Sequence, residues 1–110
     1  MVYRLTLNTL TMEKIVPHHQ LIEKEIIPQL QFRQEDVLQE KELKVRRQHD
    51  LERASRLGNG YQGKVELTFQ VATGDILRVQ TTIWQVDKEF TTIKSGVTLP
   101  THAILGVEFF

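Results

Sequence analysis

A run of alternating apolar and polar residues, which opens the segment 64–109, constrains the fold of this chain more than any other feature. Successive side chains of a β-strand point to opposite faces, so the alternation predicts a strand with one buried and one solvent-facing side. Turn-forming residues interrupt the run at 72–75. The apolar members of the run are Val65, Leu67, Phe69 and Val71.

Four more strands are predicted after this one, and they are Ile76 to Trp84, Phe90 to Ile93, Val97 to Leu99, and Ile104 to Phe109. Trp84 does not fit the alternation of its strand, which predicts either a bulge or an outer face covered by another element. Pro100 must end the fourth strand or leave it at a sheet edge. Strands of this length and spacing predict a strongly bent five-stranded antiparallel meander, or small partly open barrel, over 64–109.

A charged helix is predicted over 33–57, directly before the meander. The segment lacks Gly and Pro and is rich in Glu, Gln, Leu, Lys and Arg, which favour helix. Gly58-Asn59-Gly60 is expected to stop it. The helix and the meander together predict an α+β fold. Three pairs place an acidic residue four positions before a basic one, the favoured order, and these are Glu40–Lys44, Glu42–Arg46 and Glu52–Arg56.

The apolar residues of the predicted helix fall on two sides. Most of them form one side, whereas Leu38 and Val45 project in roughly the opposite direction. Either the helix breaks near residue 46, or its second side contacts another surface, formed by the N-terminal pieces or by another chain. Leu38 and Val45 are therefore the predicted interaction face.

The first 32 residues are predicted to wrap onto the same domain. The segment 2–8 alternates like a strand and could add to a sheet edge, and 11–32 are expected to form short helical pieces. A chain of 110 residues suits one domain, so we expect a single domain over 1–110.

Composition excludes several classes of function. The 14 basic and 14 acidic residues give a net charge of zero, whereas nucleic-acid binders usually have a basic surplus or a local basic stripe. RNA is thus not favoured as a partner by net charge, although a local patch stays open. The absence of cysteine excludes thiol chemistry and fits a reducing compartment. Without a long apolar run or a signal-like N-terminus, we expect a cytoplasmic protein that contacts no membrane.

No set of residues predicts catalysis, a metal site or a cofactor. Ser55 and Ser95 are the only serines, and neither lies in a strand-to-helix elbow. His49 and Glu52 are three positions apart on the helix, but no second such pair exists to complete a metal site. The glycine-rich stretch 58–63 follows a helix and precedes a strand, the reverse of the order in a phosphate-binding loop.

The segment 64–109 contains four short motifs, which are Lys64-Val65-x-Leu67, Gly74-x-x-Leu77, Ile93-Lys94-Ser95-Gly96 and His102-Ala103-Ile104. Through these motifs the segment resembles the Sm-like family, bacterial Hfq included. The resemblance implies a bent five-stranded sheet after a helix, assembly into rings, and binding of single-stranded RNA. It also implies that His102 lines a uridine pocket and that Lys94 and Tyr61 contact RNA. The chain as a whole is similar to small bacterial proteins of about this length.

Three functional hypotheses follow from the sequence. The first is a non-enzymatic binding or interaction module that associates with itself or with a protein partner through a helix face or an edge strand. The second is an RNA-binding protein whose aromatic side chains stack bases, although Phe69 and Phe90 have the parity of core residues. The third is a small enzyme, which would need a deep polar pocket with perturbed titratable groups. The aromatic candidates for stacking are Tyr61, Phe69, Trp84 and Phe90.

Overall fold

The computed structural model describes residues 19–110, and within them the fold is α+β, as the sequence predicts. Two of the three short 3-10 helices lie in the connections between later strands. The elements in chain order are β1 (Gln20–Leu21), the 3-10 helix η1 (Lys24–Gln29), α1 (Lys41–Tyr61), β2 (Val65–Gln70), β3 (Ile76–Thr81), β4 (Ile83–Val86), β5 (Phe90–Ile93), η2 (Lys94–Gly96), β6 (Thr98–Pro100), η3 (Thr101–Ala103) and β7 (Ile104–Phe109).

The strands form two sheets rather than one continuous meander. Sheet A has the order β1-β3-β2-β7, antiparallel except that β1 runs parallel to β3. Sheet B has the order β4-β5-β6 and is antiparallel. The single strand predicted from Ile76 to Trp84 is therefore wrong, because the chain leaves sheet A at Thr82 and enters sheet B. The predicted bulge at Trp84 is confirmed by a register shift between Ile83 and Gln85.

Two helices fill the gaps between the sheets. Helix α1 packs against β4, an edge strand of sheet B, and β7, an edge strand of sheet A. The short helix η1 packs against β6 and β3 on another side. The arrangement is a partly open barrel of two sheets around one core, and Pro100 ends an edge strand as expected. The buried core residues from all these elements are Ile27, Leu51, Ala54, Val65, Leu67, Phe69, Val71, Val79, Ile83, Ile93, Leu99 and Ile104.

The predicted start of the helix at residue 33 is wrong, because α1 begins at Lys41. The chain before it is held in a non-helical path by side chains and by η3. The Val37 N–H donates to the His102 carbonyl at 3.0 Å, and the Leu38 N–H donates to Asp36 Oδ1 at 2.8 Å. A hydrogen bond between an aspartate side chain and a nearby backbone N–H competes with helix formation. Here these bonds outweigh the helix propensity of residues 33–40, which stay non-helical.

The predicted stop at Gly58-Asn59-Gly60 is also wrong, because α1 continues to Tyr61. Gln62 takes the left-handed conformation, with φ 53°, and its N–H donates to the Gly58 carbonyl at 3.0 Å. Gly58 lies inside the helix, at the point where α1 approaches sheet B closely, and its lack of a side chain allows this approach. A Cβ built on Gly58 would overlap the Ile83 carbonyl oxygen.

The N-terminal segment is only partly as predicted. The strand over 2–8 and the first helical piece lie outside the described residues. Within them, the expected helical face from Ile22 to Ile26 is instead an extended stretch followed by η1. Pro28 lies inside η1 and does not interrupt it, and Ile27 is the residue that reaches the core. None of the three predicted i,i+4 pairs forms an ion pair in residues 19–110, where Arg46–Asp50 is the i,i+4 pair present.

A polar cluster joins this N-terminal segment to sheet A. Arg78 donates to the His19 carbonyl at 2.8 Å and to Glu66 at 3.2 Å. Hydrogen bonding from Gln80 lowers the pKa of Glu66 more than burial raises it, and Arg78 lowers it further. Glu66 is buried, although the alternation of its strand predicts a solvent-facing side chain at this position.

The glycines of α1 allow a matched test of the close helix–sheet approach. We expect Gly58→Ala to destabilise the fold by about 1–3 kcal/mol or more, because the new methyl group overlaps the backbone of β4. Gly60→Ala meets nothing within 4 Å and should stabilise α1 by about 0.5–1 kcal/mol. Urea unfolding of both variants measures the difference. Equal effects of the two substitutions would show that Gly58 is not a packing requirement.

A second test concerns the ion pair that holds residues 33–40 against α1. Arg47 is only 7% exposed and donates to both oxygens of Asp36 at 2.9 and 2.8 Å. Burial alone would raise the pKa of Asp36, but hydrogen bonds from Arg47 and the Leu38 N–H outweigh it and lower the pKa. As the pH falls, Asp36 is protonated at a higher pH in the unfolded chain than in the folded protein. The stability that the ion pair contributes is therefore complete above about pH 4–5 and is lost as the pH falls through the folded pKa of Asp36.

We therefore expect Asp36→Asn to cost about 1–3 kcal/mol at pH 7 and to flatten the acid side of the stability profile. Asp50→Asn is the matched control, since Asp50 is also 23% exposed but pairs with a solvent-exposed Arg46. Its loss should cost no more than about 0.5 kcal/mol. Urea midpoints measured from pH 3 to 8 test both, and a profile for Asp36→Asn as steep as the wild type would contradict the assignment.

Candidate functional site

The structure separates the three residues that the Sm-like resemblance implies for RNA binding. Lys94 and Tyr61 both lie around the C-terminal end of α1, where each lines a cleft. His102 lies in η3, which is tied to residues 33–37 beside the helix start. Arg47, which fixes that region, is twelve residues from Asn59 and so roughly 18 Å from it along the helix. His102 therefore does not join Lys94 and Tyr61 in one site.

His102 instead performs a structural task. Its Nε2–H donates to the Arg33 carbonyl at 2.6 Å, and its own carbonyl accepts the Val37 N–H at 3.0 Å. Both bonds hold the segment before α1. Within the described residues, His102 therefore anchors the segment before α1 through these two hydrogen bonds.

The predicted interaction face does not form on the helix. Val45 is on α1 and 59% exposed, but Leu38 precedes α1 and is only half-buried. The neighbours of Val45 on that side of the helix are His49, Glu52 and Arg56, which are polar. Within the described residues the helix therefore has no second apolar stripe, and the alternative of a break near residue 46 is also wrong.

A cleft of about 420 Å³ lies where the end of α1 meets sheet B. Gly58 and Thr82 line it at the point of close approach between helix and sheet. Among residues 19–110 no acidic residue lines it, and its other lining residues are two lysines, two amide residues and one tryptophan. These are Lys64, Lys94, Asn59, Gln62 and Trp84.

Trp84 is held in place from the helix. Its carbonyl accepts hydrogen bonds from Asn59 Nδ2 at 3.2 Å and from Ser55 Oγ at 3.4 Å. The bulge in β4 at this position turns the residue out of the alternation of its strand, and the side chain is 45% exposed. A large aromatic ring is thus presented to solvent on a backbone that the helix fixes.

The two lysines that line this cleft are each positioned by a turn. Lys94 begins η2, where its N–H donates to the Thr82 carbonyl at 3.0 Å. Lys64 follows the left-handed turn at Gln62 and precedes β2. Both lysines are exposed, and neither pairs with a carboxylate in residues 19–110. Positive charge therefore concentrates at this end of a chain whose net charge is zero.

A smaller cleft of about 250 Å³ lies on the other side of the last turn of α1. It is lined by Arg53, Arg56, Leu57 and Tyr61, and Tyr61 is 84% exposed. The Arg53 guanidinium lies 4.1 Å from the ring centroid of Phe109, a cation–π contact that fixes its position. We call the two clefts together the helix-end surface. No acidic residue occurs between Arg53 and Val65.

The carboxyls of the described residues that have a shifted pKa lie away from the helix-end surface. The carboxyls with lowered pKa are Glu25, Asp36, Glu66 and Asp87, and none of them lines the helix-end surface. Within 19–110, no cluster of three or more His, Asp or Glu side chains could hold a metal ion. No helix in this range is long and apolar enough to cross a membrane.

Comparison with known proteins adds no assignment. No protein-family model, no curated protein and no solved structure matches this chain. The resemblance to the Sm-like family therefore stays a prediction, and function must be inferred from the helix-end surface itself.

The sequence contained part of this site. The family resemblance predicts Lys94 and Tyr61, and the break in the strand alternation indicates Trp84. No sequence pattern predicts that Lys64, Arg53 and Arg56 converge on this surface, because their convergence depends on where α1 ends. Of the other stacking candidates, Phe69 is buried in the core as its parity indicates, whereas Phe90 is half-exposed and lies in a separate apolar groove with Ile27 and Phe32.

We expect the two hydrogen bonds to its carbonyl to control the mobility of Trp84. The double variant Ser55→Ala, Asn59→Ala should make the indole more accessible to acrylamide, because the β4 bulge loses its attachment to α1. The loss of stability should be about 1–2 kcal/mol. Trp84 is the only tryptophan, so the fluorescence quenching constant and the emission anisotropy report on this side chain alone. Unchanged quenching and anisotropy would show that these bonds do not position the ring.

Proposed function

We propose that this protein is a non-enzymatic binding module and that its ligand is single-stranded nucleic acid, bound at the helix-end surface. The proposal is supported chiefly by one observation, which is that the exposed Trp84 shares a cleft with Lys64 and Lys94 and that no acidic residue among 19–110 lines this cleft. We further propose a cytoplasmic location, for which the absence of cysteine is the support.

The chemistry of the cleft fits this class of ligand. Lysine ammonium groups attract phosphates and release counterions from them, which supplies affinity without sequence preference. A flat aromatic ring stacks on any base and contributes about 1–3 kcal/mol per base. Asn59 and Gln62 have both donors and acceptors that can contact base edges or sugar hydroxyls. A duplex has its bases already stacked, so an exposed ring of this kind favours a single strand.

The other hypotheses have less support. An enzyme would need a pocket with perturbed titratable groups, and the shifted carboxyls lie outside the helix-end surface. Self-association through Leu38 and Val45 is predicted on the basis that the two residues share a helix face, but Leu38 lies outside α1. An edge-strand contact has to compete with α1 and η1, which pack against β7, β4 and β6. Both hypotheses remain predictions without a described site.

The test is binding of a fluorescein-labelled hexauridylate, followed by anisotropy from 50 to 300 mM salt. The double variant Lys64→Gln, Lys94→Gln should weaken binding and reduce the slope of log K against log salt by about 1.4, which is about 0.7 for each lost phosphate contact. Trp84→Ala should reduce affinity by about 1–3 kcal/mol through the lost stacking. In the wild type, hexauridylate should quench the Trp84 fluorescence.

The control is the double variant Lys41→Gln, Lys88→Gln, which makes the same change in net charge at exposed positions outside both clefts. Its affinity and salt slope should stay close to those of the wild type. Equal losses in the two double variants would refute a localised site. If polyglutamate displaces hexauridylate as well as unlabelled RNA does, the ligand is an acidic protein surface and the nucleic-acid proposal is wrong.

A further inference from the structure

The two clefts of the helix-end surface are separated by very little of the protein. Gln62 lines the larger cleft and Tyr61 the smaller one, and these residues are neighbours in the chain. The same holds one turn earlier, where Gly58 lines the larger cleft and Leu57 the smaller one. Consecutive Cα atoms are about 3.8 Å apart, so the wall between the clefts is the last turn of α1 itself.

The solvent-facing side of this last turn carries little side-chain bulk. Residue positions 59, 56, 60 and 53 follow one another around the solvent face of the helix, at about 100° per residue. In the last turn Gly60 lies between Asn59, which lines the larger cleft, and Tyr61, which lines the smaller one, and a Cβ built on Gly60 would meet no atom within 4 Å. The absence of a side chain leaves open space over the wall. Arg56 lines the smaller cleft on that side of the crossing.

We propose that one strand of nucleic acid occupies both clefts and crosses α1 at Gly60. This inference rests on the proposed function and extends it from a single cleft to a continuous path. Trp84 stacks a base at one end of the path and Tyr61 stacks a base at the other, while Lys64, Lys94, Arg53 and Arg56 contact the intervening phosphates. The four cations of this surface then face a single ligand, and no acidic side chain among residues 19–110 lines either cleft.

The path makes affinity depend on strand length and on the smaller cleft. Hexauridylate reaches both clefts, whereas a diuridylate occupies the Trp84 cleft alone. Tyr61→Ala should lower hexauridylate affinity roughly five-fold or more, the lower limit for one base–aromatic stack. The double variant Arg53→Gln, Arg56→Gln should reduce its salt slope by about 1.4. Both changes should alter diuridylate binding, measured by Trp84 quenching, less than two-fold.

A bulky residue at the crossing gives the sharpest test. Gly60→Leu projects into open space, so the fold should persist, and circular dichroism with thermal unfolding checks this. The variant should lose hexauridylate affinity to near the value for diuridylate, while diuridylate itself still quenches Trp84. Lys41→Gln serves as the control outside the surface.

The outcomes separate this inference from the proposed function. If the Tyr61, Arg53/Arg56 and Gly60 variants all bind hexauridylate like the wild type, but Lys64/Lys94 and Trp84 variants do not, the strand is confined to one cleft and the crossing is wrong. If neither oligonucleotide binds the wild-type protein, the proposed function and the crossing are both wrong.

Discussion

The close approach of α1 to sheet B at Gly58 is the constraint on which the rest of the structure depends. The helix lies between an edge strand of each sheet, and its buried residues Leu51 and Ala54 complete a core that the two sheets share. A side chain at Gly58 would overlap the Ile83 carbonyl, so the helix could not reach this depth. The same approach brings Ser55 and Asn59 within hydrogen-bond distance of the Trp84 carbonyl. The packing of the core and the position of the exposed ring thus have one origin.

At the other end of α1, a polar contact replaces apolar packing. Arg47 is buried, donates to both Asp36 oxygens and to the Ile104 carbonyl at 3.0 Å, and leaves its Nε without a partner among the described residues. A buried guanidinium needs such partners because an unpaired buried charge is costly. The arrangement joins the segment before α1 to the helix and to the start of β7. His102 holds the same segment through its hydrogen bonds with Arg33 and Val37, so polar contacts of both Arg47 and His102 fix the helix start.

The sequence predicts the strands of this fold better than its helix. Alternation gives β2 to within one residue, because a half-buried strand needs this pattern whatever surrounds it, and the sequence also predicts β5 and β7 with their observed bounds. The helix bounds depend on tertiary contacts instead. Asp36 and His102 keep residues 33–40 out of the helix, and Gly58 is helical because of what it packs against, which no local propensity encodes. The site follows the same division. The break in the strand alternation indicates Trp84, whereas no sequence pattern predicts that Lys64 and Lys94 line the same cleft.

The last turn of α1 has a thermodynamic property that its packing function imposes. Gly58, Asn59 and Gly60 are poor helix formers, so this turn has little helical stability of its own and is maintained by contacts with β4 and by the turn at Gln62. Such a segment opens locally at a lower free energy than the core around it. A molecule that binds only the closed form shifts this local equilibrium by mass action, so occupancy of the surface and order in the helix terminus are linked quantities. Ligation would then be registered as slower amide hydrogen exchange in the final turn of α1 before any change in the sheets.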